Sequence, residues 1–393
     1  HEVDQREDEA DHRDDEHLVP ALALGEGDAV EQQRGGPDRH CVDHEPDEEA
    51  HGGIVPRGHP RKGCDHGAMA PAFRFRPEIG SLPAYVPGQR PPAGRAAYKL
   101  SSNEHYLPPL PAVVEALTKP MTPSSYPDPA ASALIAGLSE YLEVPSNHIT
   151  VGAGGSEMLS ALAHVTLEAG CEVVYPSPSF ELYEQVTALS GAVQQPIPLT
   201  PDYRHDLPAM AEAITDHTRL VLLCSPNNPT GPVITAHEFE SFMAVVPPNV
   251  LVALDEAYWE FITNPDAVNG LDMVNNYPNL VLIRTFSKAH GLAGFRIGYA
   301  VGQPEIISAI GKAQIPFGVT QPSQNAAIAS LHHIDQVLER ARAIAVARDK
   351  FVTALRAQGW QVPEAQANFV WLPLGELSTE FENACMAQAL AVR

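Results

Sequence analysis

The sequence predicts an α/β protein built around a largely parallel β-sheet whose strands are joined by helices. From residue 149 onward, short apolar runs such as "CEVVYPSPSF", "RLVLLCS" and "NVLVALDEAY" alternate with stretches of helical periodicity. Runs that are apolar at nearly every residue are typical of parallel strands buried on both faces of a sheet. With 393 residues and 44% hydrophobic content, the chain is long enough to bury a large core, in two domains.

Helical segments between these runs have recognisable start and stop signals. Thr235 and Glu238 form a capping box that opens a helix with the sequence "AHEFESFMAVV". A second helix is expected to begin at Gly155 and to end at Gly170. Residues 334–357 carry apolar side chains at helical spacing and predict one long helix.

This pattern predicts a large domain over residues 115–335. Residues 70–114 would form an N-terminal arm and part of a small domain, and residues 336–393 a C-terminal part that looks truncated. Residues 1–68 contain 19 acidic and 7 basic residues but no Phe, Trp or Tyr. Such a segment cannot bury enough apolar surface to offset its chain entropy. We therefore expect a disordered extension outside the fold, and a functional protein that starts near Met69.

Charge and cysteine content narrow the class of protein. The formal net charge of −24 argues against binding to nucleic acid or to an anionic membrane surface. No apolar stretch reaches the length of a membrane span and the first residues are charged, so we expect a cytoplasmic protein. Five cysteines without CxxC spacing, and scattered histidines, predict neither a disulfide framework nor a metal site.

Four polar elements follow one another along the predicted sheet: "SPNNPTG", "LDEAY", "TFSK" and Arg296. The first three end apolar strands, which places Asn228, Asp255, Tyr258 and Lys288 at one edge of the sheet. Taken singly, each element has a structural explanation as a turn, a helix cap or a solvated lysine. Their joint order and spacing favour a single functional site.

This set of side chains suits pyridoxal phosphate chemistry. A lysine amine such as that of Lys288 forms a Schiff base with the cofactor aldehyde, and the cofactor then acts as an electron sink. The ring nitrogen must stay protonated, which requires a buried carboxylate opposite it, and Asp255 fits that role. Asn228 and Tyr258 can donate hydrogen bonds to the ring phenolate. Phe180, just after a strand, can stack on the ring face, with ordinary core packing as the alternative.

The phosphate of this cofactor needs a cation and several hydrogen-bond donors. A guanidinium, hydroxyl groups and the backbone amides at the start of a helix can supply them. The candidates are Arg296, the hydroxyls of Thr285 and Ser287, and the helix that opens at Gly155 and Ser156.

The sequence resembles the fold-type I pyridoxal-phosphate aminotransferases over about residues 75–393. The motifs that carry the resemblance are "LPAYVPGQR", "KLSSNE", "YPDP", "PNNPTG", "LDEAYWEF", "RTFSKAHGLAGFRIGYAVG", "PFGVTQPSQNAA" and "QANFVWLPLGE". They are most similar to the histidinol-phosphate transaminase branch, and within it to the aromatic amino acid (phenylalanine) aminotransferases. The resemblance implies a large domain with a mixed, mostly parallel seven-stranded sheet and a small α/β domain.

The resemblance also implies roles for individual residues. Lys288 would move the proton between the substrate Cα and the cofactor C4′, and Asp255 would pair with the pyridine nitrogen. The other candidates above would keep the roles already given to them. Tyr126 of "YPDP" matches a tyrosine that reaches the phosphate of the partner subunit, which implies a homodimer with shared active sites.

Three departures from the family pattern stand out. Glu104 is followed by His105 and Tyr106 where relatives usually have Asn-Pro, which would reshape the substrate entrance. His290 replaces the usual Phe or Tyr, a change expected to be mild. Relatives continue past the position of Arg393 with a strand that carries the arginine gripping the substrate α-carboxylate. We therefore expect this chain to bind the cofactor but to turn over amino acids poorly.

The leading functional prediction is transamination of phenylalanine, tyrosine and tryptophan with 2-oxoglutarate. Histidinol-phosphate transamination is the alternative, and an apolar pocket or extra cations for a second phosphate would distinguish the two. The stretches "YVPGQR" and "FVWLPLGE" favour the aromatic branch. Decarboxylation and β-elimination use the same cofactor cradle. A ligand-sensing transcription regulator is disfavoured by the acidic leading segment, and a truncated, non-catalytic remnant is the alternative of another class.

Overall fold

The computed structural model describes residues 97–393, together with residues 76, 79, 80, 82 and 88–90. Pro71–Arg393 form one compact unit. The predicted disordered extension over residues 1–68, and the predicted start near Met69, lie outside the described residues. The domain boundaries near residues 115 and 335 stay predictions.

The centre of the fold is a seven-stranded sheet. The described strands are β1 (Tyr98–Lys99), β2 (Ile149–Gly152), β3 (Glu172–Ser177), β4 (Val193–Pro198), β5 (Thr218–Cys224), β6 (Leu251–Asp255), β7 (Leu280–Thr285), β8 (Gly298–Gly302) and β9 (Leu390–Ala391). The large sheet has the order β2–β8–β7–β6–β5–β3–β4. Strand β8 is antiparallel to both of its neighbours, and every other neighbouring pair is parallel. The predicted mixed, mostly parallel seven-stranded sheet is confirmed.

A second, two-stranded sheet joins segments from opposite ends of the described chain. Strands β1 and β9 pair in parallel, with Tyr98 opposite Leu390 and Lys99 opposite Ala391. Backbone bonds from Tyr98 N to Ala389 O (2.9 Å) and from Leu100 N to Ala391 O (2.8 Å) extend the ladder. The residues that follow β1 and β9 both lead towards the candidate site described below.

Eleven labelled helices surround the two sheets in the described part of the chain. They are α1 (Pro111–Thr118), α2 (Ser132–Leu142), α3 (Gly155–Thr166), α4 (Leu182–Ser190), α5 (Leu207–Glu212), α6 (Ala236–Met243), α7 (Gly270–Met273), α8 (Pro304–Ala313), α9 (Gln321–Leu331), α10 (Ile334–Ala357) and α11 (Ser378–Ala387). None of the described helices is long and apolar enough to cross a membrane.

Local sequence signals set several helix ends. The capping box is present at α6, where Glu238 N donates to Thr235 Oγ1 (3.2 Å) and Thr235 N donates to Glu238 Oε2 (2.8 Å). Helix α10 occupies the predicted range of residues 334–357. Helix α3 begins at Gly155 as predicted but ends at Thr166, before Gly170, because Leu167 adopts an extended conformation (φ −111°, ψ 141°).

A buried arginine interrupts the apolar stripe of α10. Arg348 donates to the carbonyls of Phe261 (2.9 Å) and Ala367 (3.1 Å) and to Thr263 Oγ1 (3.1 Å). The guanidinium of Arg348 is buried, and these oxygens satisfy its donors away from water. Arg348 therefore ties the long helix to the segment that follows β6.

Hydrophobic side chains cover both faces of the large sheet. One cluster contains Val221, Leu223, Val252 and Leu254, and it packs against helices that include α2, α6 and α9. The other contains the alternate strand residues, such as Leu220, Leu222, Ala253 and Val281, and it packs against α3, α4 and α8. Because successive strand residues point to opposite faces, burial of both faces explains why the interiors of the central strands β5, β6 and β7 are apolar runs.

Candidate active site

The predicted site residues lie where the strands of the large sheet end. The strands β2, β3, β5, β6 and β7 all run in one direction, so their carboxyl ends share an edge, and β8 begins at that same edge. Gly155 and Ser156 open α3 after β2, Phe180 follows β3 and Asn228 follows β5. Asp255 ends β6, and Tyr258 comes three residues later. Thr285 ends β7, Ser287 and Lys288 follow that strand, and Arg296 precedes β8.

The amine of Lys288 lies near the centre of this edge. Its Nζ donates to the carbonyl oxygens of Ser102 (3.0 Å) and Asn103 (3.5 Å), and it lies 5.4 Å from the centre of the Tyr258 ring. Burial lowers the pKa of Lys288 to about 8, although the negative charge of Glu104 opposes this shift. A substantial fraction of this amine is therefore neutral near pH 8, as a nucleophile or proton acceptor requires.

The carboxyl group of Asp255 is buried, with 6% of the residue exposed. Ala257 N donates to its Oδ1 (3.1 Å), and the Tyr183 hydroxyl donates to its Oδ2 (3.2 Å). Burial raises the pKa of Asp255 to about 6, and the two hydrogen bonds hold it from rising further. At neutral pH the site thus contains a buried carboxylate that lacks a full counter-charge of its own.

Tyr258 lies beside the lysine. Its hydroxyl accepts a hydrogen bond from Asn103 Nδ2 (3.2 Å), and burial raises the pKa of this phenol, so the hydroxyl keeps its proton. Phe369 packs edge-on against its ring at 5.1 Å. The hydroxyl remains a donor for an oxygen anion placed nearby.

The two consecutive asparagines after β5 differ in their surroundings. The side chain of Asn227 is buried and holds the turn, because its Nδ2 donates to Thr230 Oγ1 (2.7 Å) and to Pro178 O (3.2 Å). Asn228 is only half-buried and precedes a cis peptide bond to Pro229. Asn227 therefore shapes the loop, and Asn228 is the asparagine presented at the site edge.

A guanidinium, two hydroxyls and a helix start converge beside the end of β2. Thr285 Oγ1 lies 3.0 Å from Ser287 Oγ, and Arg296 donates to Ser287 Oγ (3.3 Å). A Cβ atom added to Gly154, at the start of α3, would lie 2.6 Å from a terminal nitrogen of Arg296. Only glycine leaves this space open, and the φ of 87° at Gly154 also favours glycine. The donor set is that of an anion site.

Of the two remaining aromatic candidates, Phe180 lies at the site edge and Tyr126 lies on the surface. Phe180 is half-buried at the site edge and contacts Tyr183 edge-to-face at 5.8 Å, so it also packs against the core beneath it. Tyr126 is 80% exposed and stacks on Phe317 of its own chain at 4.4 Å. Within a single chain, Tyr126 therefore lies on the surface.

The two unusual histidines are both neutral. His105 Nδ1 accepts a hydrogen bond from Leu107 N (3.1 Å), and burial lowers the pKa of His105. His290 lies 2.8 Å from Ser330 Oγ and 4.4 Å from the Phe286 ring, and burial lowers its pKa to about 3. The ring at position 290 is therefore neutral, and the mild effect expected of this replacement stays a prediction.

Several residues at the site were missed by the sequence analysis. Tyr183 holds Asp255, and Asn103 links Tyr258 to Lys288, as described above. Asn368 Nδ2 donates to Asn103 O (3.0 Å), which leaves its Oδ1 buried without a partner in the described part of the chain. Asn103 and Asn368 do lie in the quoted motifs "KLSSNE" and "QANFVWLPLGE", so a signal was available for them.

Arg393 was considered only as the end of the chain, yet it reaches the site. It follows β9, and its guanidinium pairs with Glu181 Oε2 at 2.5 Å. Burial raises the pKa of Tyr258, and the charge of Arg393 opposes a small part of that rise. The charge of this guanidinium therefore acts on Tyr258 from the end of β9.

Comparison with known proteins identifies the family. The family described as aminotransferase class I and II matches residues 96–393. The chain belongs to this family. Aromatic amino acid aminotransferase from Streptomyces avermitilis is 47% identical over 322 residues, covering 81% of this chain and 90% of that protein. The protein of the same name from Thermobifida fusca is 44% identical over 322 residues, covering 81% and 89%.

Solved structures agree with this assignment. Histidinol-phosphate aminotransferase from Sinorhizobium meliloti, in complex with pyridoxal-5'-phosphate, has a TM-score of 0.74 and 29% identity, and covers 82% of this chain and 90% of that one. A structure described as a putative histidinol-phosphate aminotransferase, from Erwinia carotovora, has a TM-score of 0.71 at 24% identity, covers 75% and 86%, and shows the fold alone. The predicted fold-type I architecture is confirmed.

Aminotransferases of this family depend on pyridoxal phosphate. The residues of the site fit this cofactor. The buried carboxylate of Asp255 lacks a full counter-charge, which a protonated ring nitrogen would supply. The space over Gly154 beside Arg296 suits a phosphate. In the sheet, β7, which leads to Lys288, lies between β2, which leads to Gly154, and β6, which ends at Asp255.

Proposed function

We propose that this aminotransferase transfers amino groups between aromatic amino acids and 2-oxoglutarate at this sheet edge. The observation that carries the proposal is the placement of an amine, a buried carboxylate and a buried phenol at two adjacent strand ends: Asp255 and Tyr258 at the end of β6, and Lys288 after β7. The aromatic substrate class is supported by relatives with 44% to 47% identity that are named aromatic amino acid aminotransferases.

The assigned roles follow from the environment of each side chain. When bound, pyridoxal phosphate supplies an electron-withdrawing ring that acidifies the Cα–H bond of the substrate. Lys288 would hold the cofactor and then accept the Cα proton at Nζ, for which a pKa of about 8 is suited. Asp255 would face the ring nitrogen and keep it protonated, while Asn228 and Tyr258 would donate to the ring oxygen. Phe180 would stack on the ring.

The anion site would hold the cofactor phosphate. Charge-assisted hydrogen bonds to a guanidinium and to amides at a helix start are stronger than neutral ones, and they fix the orientation of the group. The contributing residues would be Gly155, Ser156, Thr285, Ser287 and Arg296.

Arg393 would bind the substrate carboxylate. Its guanidinium already binds a carboxylate, that of Glu181, and its charge reaches Tyr258. An amino acid would replace Glu181 as its partner and be oriented with its Cα towards Lys288. In this proposal Arg393 takes the role that the sequence analysis gave to an arginine on a strand past its position.

The enzyme would act as a homodimer. Tyr126, Ile315 and Phe317 expose apolar surface together, with exposed fractions of 80%, 72% and 39%. Ile315 N also donates to Glu157 Oε1 (3.1 Å) in the first turn of α3, so this surface adjoins the anion site. A second copy would cover it and bring Tyr126 to the phosphate of its partner. A cytoplasmic location stays part of the same proposal.

Histidinol phosphate is the second candidate substrate, because a solved structure similar to this chain carries that name. The test is the visible absorption of the purified chain loaded with pyridoxal phosphate. Phenylalanine should remove the absorption band of the loaded enzyme, and 2-oxoglutarate should restore it. A response to histidinol phosphate alone would support the second candidate, and no response to any amino acid would reject both.

A further inference from the structure

The hydroxyl of Tyr183 is a buried polar group to which the roles above assign no task. Tyr183 lies on α4, on the side of the sheet that holds the second hydrophobic cluster, and is 1% exposed. Its hydroxyl donates to Asp255 Oδ2 at 3.2 Å. The hydroxyl is shielded from solvent, and its partners are the Asp255 carboxyl group and the Cys224 thiol.

The two hydrogen bonds to Asp255 come from different parts of the fold and therefore constrain the carboxylate differently. Ala257 N donates to Oδ1 from two residues along the chain, so this bond moves with the strand end itself. Tyr183 belongs to a separate element and fixes the rotation of the carboxylate against the rest of the fold. Tyr183 N also donates to Phe180 O (2.9 Å), so a single turn positions both the stacking ring and the hydroxyl.

We propose that Tyr183 is a positioning residue that holds Asp255 ionised and oriented towards the cofactor ring nitrogen, so that cofactor binding persists at lower pH. The inference rests on the proposed pairing of Asp255 with that nitrogen. A carboxylate can hold a protonated nitrogen, whereas a protonated carboxyl group has lost the charge that does so.

The electrostatic environment explains why one hydroxyl matters. Burial raises the pKa of Asp255, and the hydrogen bond from Tyr183 opposes that rise because it favours the charged form. Lys288 acts in the same direction and Glu256 against it. The titratable groups that face or adjoin the carboxyl group are Tyr183 from α4, Cys224 from β5, Glu256 and Tyr258 after β6, and Lys288 after β7.

The test is the affinity of the cofactor-free full chain for pyridoxal phosphate, measured by spectroscopic titration between about pH 5 and pH 9. In the wild type, affinity should fall as the pH drops through the pKa of Asp255. In Tyr183→Phe the midpoint of this fall should move up by about one pH unit, because a hydrogen bond to a charged group is lost. Affinity above pH 8 should change by only a few-fold.

Tyr175→Phe is the matched control. Tyr175 belongs to the same hydrophobic cluster, and its buried ring carries a hydroxyl that donates to Gln194 Oε1 (2.7 Å) rather than to Asp255. This variant loses a hydrogen bond of similar kind and should keep the wild-type midpoint. A purely structural role for Tyr183 would weaken cofactor binding equally at every pH and leave its midpoint unchanged, which would overturn the inference.

Asp255→Asn separates the inference from the proposed function. If its cofactor affinity still falls at the wild-type midpoint, the pairing of Asp255 with the ring nitrogen is wrong, and the role of Tyr183 falls with it. If Asp255→Asn removes the midpoint but Tyr183→Phe does not move it, only the inference fails. Should Tyr183→Phe not fold, 3-fluorotyrosine at position 183 keeps the ring and is a stronger donor. It should move the midpoint down, and an unchanged midpoint would reject the inference.

Discussion

Asp255 carries a negative charge into the protein interior before any cofactor can neutralise it. Its pKa rises from 3.8 to about 6 on burial, so the folded chain binds this proton more tightly than the unfolded chain does. The stability contributed by the protonated form is complete below a pH of about 4 and is lost as the pH rises through about 6. Above that pH, the ionised carboxyl group of Asp255 lowers the stability of the cofactor-free protein.

Asp255→Asn should remove this cost. Between pH 4 and pH 7.5, the free energy of unfolding of the cofactor-free wild type should fall, relative to that of the cofactor-free variant, by on the order of 3 kcal/mol. Transamination should be lost at the same time. Urea unfolding at the two pH values measures the effect, with the exposed Asp266→Asn as a control that should behave like the wild type. Parallel pH dependences in Asp255→Asn and the wild type would contradict this explanation.

Arg393→Ala should damage substrate binding and leave the cofactor in place. Loss of a charge-assisted pair with the α-carboxylate should lower kcat/KM for phenylalanine on the order of 10- to 100-fold. Steady-state kinetics measure this, and 2-phenylethylamine, which lacks the carboxylate, provides the control. Its slow reaction with the loaded enzyme should be unaffected by the substitution. Equal losses for both amines would show that Arg393 acts on the fold rather than on the carboxylate.

The sequence allowed prediction of those site residues that end apolar strands within recognisable motifs, such as Lys288 and Asp255. Their position at a shared edge follows from strand direction alone. Tyr183 and Asn103 were missed because their contacts join residues 72 and 155 positions apart along the chain. No local pattern specifies which distant hydroxyl or amide will face a given carboxylate or phenol.

A buried ion pair joins the carboxyl ends of strands β6 and β7. It lies on the face of the sheet opposite to Asp255. Arg284 donates through Nε and a terminal nitrogen to Glu256 Oε2 (2.9 and 2.7 Å), and Gly270 N donates to Glu256 Oε1 (2.6 Å). The side chains of both ions are at most 4% exposed. Since Glu256 follows Asp255 and Arg284 precedes Thr285, the pair sets the spacing of the two strand ends that carry the site.

Removal of one partner should therefore destabilise the fold strongly. Glu256→Gln leaves a buried guanidinium without its counter-charge and should lower the free energy of unfolding by about 3–5 kcal/mol. Arg204, which pairs with both Glu238 and Glu364 at a more exposed place, is the comparison, and Arg204→Met should cost about 1 kcal/mol. Urea unfolding at pH 7.5 measures both. Similar losses for the two variants would mean that burial does not govern the strength of these pairs.

Periodicity predicted the existence of the elements better than their ends. Strands β5, β6 and β7 have apolar interiors and lie where the sequence placed them. Helix α3 stops before the predicted Gly170, and α6 stops at Met243 before the remaining apolar residues of its stretch. Helix ends depend on how the following chain packs and bonds, which the local sequence specifies only in part.

The whole molecule should be a dimer in solution. Sedimentation of the full chain should give about twice the mass of 42.3 kDa, because an exposed apolar surface beside an anion site favours burial against a second copy. Ile315→Asp should shift the equilibrium towards monomer and weaken cofactor binding with it, whereas Val193→Asp, at an exposed position on the outer strand β4, should do neither. A stable monomer with full cofactor affinity would reject the shared active site.

The most direct test of the central claim, that Lys288 is the centre of an aminotransferase site, is borohydride reduction of the loaded enzyme followed by peptide mass spectrometry. The phosphopyridoxyl group should be found on the peptide that contains Lys288. After prior addition of phenylalanine, it should be found on the released amino acid instead. A label on any other lysine, or a label on Lys288 that phenylalanine cannot displace, would contradict the claim.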